Sequence, residues 1–148
     1  MTILFLDLDG VLHPVGGGVV PLEYAPILEA ALEPYPAVHI VLSSSWVEVF
    51  GFDDTRAMLP PALQKRVVGS TYDPAYKHQQ WWLTASRYEA IAHYVERYCV
   101  KSWLAIDDDD DGWPAELRHK LVCPPKHVGL AAAGMQAELA YKLRSLAP

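Results

Sequence analysis

A three-layer α/β domain, with helices on both faces of a mainly parallel sheet, is the fold class this sequence predicts. Three observations carry that expectation. Short apolar runs alternate with helical patterns along the chain. The first run, Ile3 to Leu6, is apolar throughout rather than alternating, as strands covered on both faces are. Acidic or hydroxyl-bearing residues stand directly after several of these runs: Asp7 and Asp9, Ser43–Ser45, and Asp107–Asp111. Open parallel sheets bind ligands beyond the carboxyl ends of their strands, so three polar clusters from distant segments are expected to meet on one edge.

The elements follow in order. Ile3-Leu4-Phe5-Leu6 begins the first strand, and Asp7 and Asp9 project the same way if the strand continues that far. The loop His13–Pro21 carries Gly16, Gly17 and Gly18 and is read as a small hairpin flap. Pro26 suits the first turn of a helix that places Leu28, Ala31, Leu32 and Tyr35 on one face and stops at Pro34 and Pro36. Ala37–Leu42 is the second strand, a short helix or turn spans Asp53–Leu59, and Arg66–Gly69 is a weak third strand. Residues 70–83 read as a loop. Ser86 and Glu89 fit a capping box, starting a helix with Tyr88, Ile91, Val95 and Tyr98 on one face. Trp103–Ile106 and Leu121–Cys123 are the fourth and fifth strands, and a last helix covers 130–146 with Glu138 and Lys142 paired at i,i+4. No repeat or linker divides the chain, so residues 1–148 are expected to form one domain.

Composition narrows the classes. Hydrophobic residues make up 51% and charged residues 20%, which is globular rather than disordered composition. A formal net charge of -6 leaves binding of nucleic acid possible but not indicated, because phosphate backbones call for a basic footprint. Cys99 and Cys123 lack metal-ligand spacing and read as buried free thiols of a reducing compartment. The first apolar run is interrupted early by Asp7, which argues against a signal peptide or membrane span; the expected location is cytoplasmic.

Two carboxylates beside each other at the end of a buried strand repel, and burial penalises each of them. A divalent cation would justify them, with one carboxylate as nucleophile and the other as proton carrier. The pattern resembles the haloacid dehalogenase-like (HAD) superfamily of phosphatases and phosphotransferases. The resemblance rests on the apolar strand running into Asp7-Leu8-Asp9-Gly10-Val11-Leu12, the apolar strand running into Ser43, the basic Arg87 at a helix start, and Trp103-Leu104-Ala105-Ile106-Asp107-Asp108. The Ser-Ser-Ser-Trp and Asp-Asp combinations are similar to HAD domains associated with RNA repair.

The resemblance implies a three-layer Rossmann-like fold with a five-stranded, mainly parallel sheet. It also implies a Mg²⁺-dependent phosphatase acting through an aspartyl-phosphate. Asp7 would be the nucleophile and Asp9 the general acid and base, with a pKa raised by its neighbours. Mg²⁺ would be held by Asp7, the backbone carbonyl of Asp9, and Asp107 or Asp108. Ser43 or Ser44 would hydrogen-bond the phosphoryl oxygens, and Arg87 or Lys77 would neutralise their charge. The substrate would be a phosphorylated small molecule or a macromolecule with a terminal phosphate. A catalytically silent phosphate- or metal-binding module, and phosphoryl transfer to an alcohol, are the alternatives. The intervals around the motifs are too short for a large cap domain.

Plainer roles exist for each piece. Asp-x-Asp-Gly occurs in ordinary turns, and serines cap helices, here with Trp46 as core. The five-aspartate run copies half of a calcium loop, but Arg118 stands where the bidentate glutamate belongs. Asp109–Asp111 are expected to face solvent or lie behind the site. Arg87 opposes a helix macrodipole. Trp81 and Trp82 are read as packing residues, with a stacking platform as the lesser alternative. His13 is read as a loop residue at the mouth of the site, commonly inert, and His39 as structural.

Overall fold

The computed structural model describes residues 1–146. Strand β1 (Thr2–Leu6) is followed by helix α1 (Ala25–Leu32) and strand β2 (Val38–Leu42). Three short helices then lead to β3 (Val67–Ser70): α2 (Trp46–Phe50), α3 (Phe52–Met58) and α4 (Pro61–Gln64). A 3-10 turn at Pro74–Tyr76, α5 (Gln80–Thr84) and α6 (Arg87–Arg97) precede β4 (Ser102–Ile106). A second 3-10 segment (Ala115–Lys120), β5 (Leu121–Val122) and α7 (Met135–Leu146) complete the chain.

The five strands form one sheet in the order β3-β2-β1-β4-β5, and every pairing is parallel. Both faces are covered, which is why the central strands read as continuous apolar runs. Leu4, Leu6, Ile40, Leu42, Leu104 and Ile106 lie in one core with Leu28 and Leu32 of α1 and Leu139 and Leu143 of α7. Ile3, Phe5, Val41, Trp103 and Ala105 face the opposite way, against Ile91 of α6. The period of two along each strand therefore assigns odd-numbered residues of β1, β2 and β4 to the α6 side.

Several expectations are corrected. The glycine loop is a series of turns and bends, not a hairpin; the one bridge there joins Asp9 to His13. Val15 and Val20, apolar residues that would support paired strands, are exposed. Residues 70–83 contain the 3-10 turn and α5, stabilised by aromatic contacts far apart in sequence: Trp82 meets Tyr72, and Trp81 stacks on His93 with ring centroids 4.2 Å apart. The last helix begins at Met135, because Gly129 and Gly134 adopt left-handed conformations. Cys99 is exposed rather than buried. It follows α6 in the left-handed conformation with which helices commonly end, and so turns outward. Cys123 is half-buried, and both thiols are free. Among the described residues no helix is long and apolar enough to cross a membrane.

Candidate active site

The register of the sheet brings the site together. Leu6 stands opposite Leu42 and Ile106, so the next residue of each strand, Ser43, Asp7 and Asp107, falls in one row just past the carboxyl edge. Backbone bonds extend the ladder by that one step: Ser43 N donates to Leu6 O at 2.8 Å, Asp7 N to Ile106 O at 3.1 Å, and Asp107 N to Val122 O at 3.1 Å. All three are odd-numbered and fall on the α6 side. Arg87, the first residue of α6, lies there with its Nε 3.1 Å from Asp107 Oδ2 and its Nη2 3.9 Å from Asp7 Oδ1. Its Nη1 donates to the Ser43 carbonyl. The capping box predicted for this helix is present: Ser86 Oγ accepts from Glu89 N at 3.1 Å and Ser86 N donates to the Glu89 carboxylate.

Asp7, Asp107 and Asp108 bring carboxylate oxygens within 4.8 Å of one another. Asp7 and Asp107 are 3% and 1% exposed. Burial, followed by repulsion from Asp107, holds the Asp7 carboxyl well above its usual range, although Arg87 works against that. Burial also pushes Asp107 up to about 7, again opposed by Arg87. Arg87 is partly buried, which disfavours its charge, yet Asp7, Asp107 and Asp108 together raise its pKa. One arginine does not satisfy this cluster. Asp107 Oδ2 has no aligned hydrogen-bond donor despite the nearby guanidinium, so it keeps lone pairs open. Three carboxylates converging within 4.8 Å, one of which keeps an oxygen without a hydrogen bond, fit a hard divalent cation. Asp7 Oδ1 accepts from Leu8 N at 2.8 Å and Asp107 Oδ1 from Asp109 N at 3.0 Å, which orients both groups.

The strand ends at Leu6, so alternation does not place Asp9. A tight turn does: Val11 N and Leu12 N both donate to Leu8 O, with Gly10 at φ +74°. A Cβ at Gly10 would overlap the Asp108 carboxylate, so this position needs glycine both for its backbone and for space. Asp9 still faces the same cavity as Asp7. That cavity, of about 440 Å³, is lined by both of them with Ser45, Arg87, Asp108 and Lys126. It shares Ser45 and Arg87 with a second cavity of about 600 Å³ that carries Ser44, Thr71, Glu48 and Trp82.

The serines differ. Ser43 is buried and its hydroxyl has no partner, whereas Ser44 Oγ accepts from Trp46 N at 3.2 Å in a local turn before α2, whose N-cap Ser45 makes no side-chain capping bond. Trp46 is half-buried rather than core, and its indole reaches the site. Lys77 is exposed at the end of the 3-10 turn and lines neither cavity, so of the two candidate cations the structure brings Arg87 to the aspartates. Asp109, Asp110 and Asp111 are exposed. Trp81 and Trp82 pack on neighbouring rings, and Trp82 also borders the second cavity.

Sequence reasoning missed Thr71, Lys126 and Trp46 as site residues and undervalued His13. Thr71 extends the Ser43 row across β3, since its amide donates to Leu42 O. The position of Lys126 just after the fifth strand was a usable signal for it. His13 and Trp46 carried no spacing signal.

The family comparison agrees with this geometry. A family model described as the HAD domain in Swiss Army Knife RNA repair proteins matches residues 3–135. The chain belongs to that family, and membership supports a phosphoryl-transfer function of the HAD type in general. Comparison with curated proteins and with solved structures yields no match.

Proposed function

We propose that this protein is a Mg²⁺-dependent phosphomonoesterase that passes the phosphoryl group through Asp7. The observation that carries the reading is the row of Ser43, Asp7 and Asp107 beside Arg87, with Asp9 on the cavity that Asp7 and Arg87 line. Asp7, the Asp9 carbonyl, Asp107 and Asp108 would hold the ion. When bound, Mg²⁺ offsets negative charge on the phosphoryl oxygens and favours the ionised forms of the surrounding aspartates. The Asp7 carboxylate forms a bond to phosphorus as the bond to the leaving oxygen breaks, and Asp9 gives that oxygen a proton. Water then attacks the aspartyl-phosphate while Asp9 takes back a proton, releasing phosphate and the Asp7 carboxylate. The Ser43 hydroxyl, buried beside Asp7 without a partner, would bond a phosphoryl oxygen, and Arg87 would supply positive charge beside it.

The open cavity suits a phosphate carried on a small molecule or on the end of a macromolecule. The family's association with RNA repair proteins makes oligonucleotides with terminal phosphates an informative part of a substrate panel. Two free thiols fit a reducing, cytoplasmic setting.

The test is phosphate release from an aryl phosphate and from that panel, with and without Mg²⁺. The parent protein should turn over only with Mg²⁺, and Asp7→Asn should lose at least about 10³-fold in kcat, because the covalent route is gone. An Asp7→Asn protein as active as the parent removes the mechanism. Mg²⁺ binding without turnover would assign a silent binding module instead, and phosphorylated products with added alcohols would assign a transferase.

A further inference from the structure

Asp9 is held by two side chains to which the sequence assigned no catalytic part. His13 is 3% exposed, and its Nε2 lies 2.7 Å from Asp9 Oδ1. The other ring nitrogen, Nδ1, accepts from the backbone amide of Leu22 at 3.0 Å. A backbone amide can only donate, so Nδ1 is bare and the ring proton sits on Nε2, directed at Asp9. The Trp46 indole Nε1 donates to the other carboxylate oxygen, Asp9 Oδ2, at 2.9 Å. The two rings lie 5.6 Å apart at 30°, and Trp46 meets Phe50 edge-on. The Asp9 side chain itself is 47% exposed and lines the reaction cavity. A half-exposed aspartate would otherwise sample several rotamers in water. Here each of its oxygens is bound by a donor on a rigid, packed ring.

We propose that His13 and Trp46 are positioning residues that fix the Asp9 carboxyl for proton transfer to the leaving group. The inference rests on the phosphatase reading and adds to it two residues with a defined job. Their effect passes through Asp9 alone. Asp9 loses its proton to the leaving oxygen as the phosphorus–oxygen bond breaks and that oxygen keeps the bonding pair. The transfer is worth most when the departing group is a poor one, such as an alkoxide, and little when it is a stable nitrophenolate. In this first step misplacing the acid should therefore be felt selectively, whereas the later hydrolysis, in which Asp9 serves as base, is common to all substrates. A general loss of packing would slow all substrates alike.

The experiment compares kcat/KM, which reports the steps through departure of the leaving group and not the later hydrolysis, for an alkyl phosphate and for 4-nitrophenyl phosphate at saturating Mg²⁺ in the parent protein, His13→Leu, His13→Gln and Trp46→Phe. His13→Leu and Trp46→Phe should each lose on the order of 10- to 100-fold on the alkyl ester and less than about threefold on the nitrophenyl ester. His13→Gln keeps an N–H at the Nε2 position and should recover most of the alkyl activity. Nitrogen-15 spectra of the parent should show His13 with its proton on Nε2, independently of turnover. Equal losses on both esters, unchanged activity in both His13→Leu and Trp46→Phe, or a proton on Nδ1 overturns the inference. A parent protein inactive on every phosphate ester, with the His13 proton on Nε2 as expected, instead refutes the phosphatase reading, and the positioning role with it.

Discussion

At the scale of single residues the site is a set of carboxylates held under electrostatic tension. Asp107 titrates near 7 in the metal-free fold against an ordinary value of 3.8, and Asp7 is shifted the same way. An acid whose pKa is raised by folding stabilises the native state while it is protonated. That contribution is complete below its unfolded pKa and is lost as pH rises through its folded one. Between about pH 4 and pH 7, metal-free protein should therefore lose stability as pH rises, seen as a falling urea midpoint. Asp107→Asn should flatten that trend, since the amide has nothing to ionise. A midpoint that climbs over the same range in the parent would contradict the assigned burial of these carboxylates.

At the scale of elements, the start of α6 matters most. Its capping box holds the first turn, and that turn carries Arg87 to Asp107 and Asp7. The first-turn position that counts against a cation on dipole grounds is tolerated because two buried carboxylates outweigh the helix end. Ser86→Ala should cost about 1 kcal/mol in urea unfolding, whereas Ser86→Gly should cost only a few tenths. Both variants should also lower turnover, through a looser Arg87. If Ser86→Ala leaves stability and activity untouched, the cap is not what orders this arginine.

At the scale of the whole molecule, five parallel strands deliver one row of polar residues to one edge, and α1, α7 and α6 close the two faces around it. A cation that binds this edge binds only the folded chain, because its ligands come from β1 and β4, about 100 residues apart in sequence. Mg²⁺ at a hundred times its dissociation constant should add about 2.7 kcal/mol of stability. For a chain of this size that corresponds to a rise of roughly 5–10 °C in Tm. The rise should vanish when Asp107 and Asp108 are both replaced by Asn. No rise in the parent, at any Mg²⁺ concentration up to tens of millimolar, would dissociate the acidic cluster from metal binding.

What the amino-acid order determined by itself was everything carried by local chemistry. Apolar runs gave the central strands, Ser86 and Glu89 announced the start of α6, and residues such as Asp7, Ser43 and Asp107 were legible because each directly follows its strand. The meeting of the three clusters on one edge was expected; tertiary structure alone decided which residue of each cluster stands in the row and which cation joins it. The in-register pairing of β1 with both β2 and β4 aligns Ser43, Asp7 and Asp107, and the choice of Arg87 over Lys77 depends on which face α6 covers. His13 and Trp46 show the limit most clearly: their hold on Asp9 joins residues 4 and 37 positions away through a turn and a separate helix. Periodicity describes one element at a time. Side-chain contacts between elements are set only when the hydrophobic faces pack and exclude the alternatives.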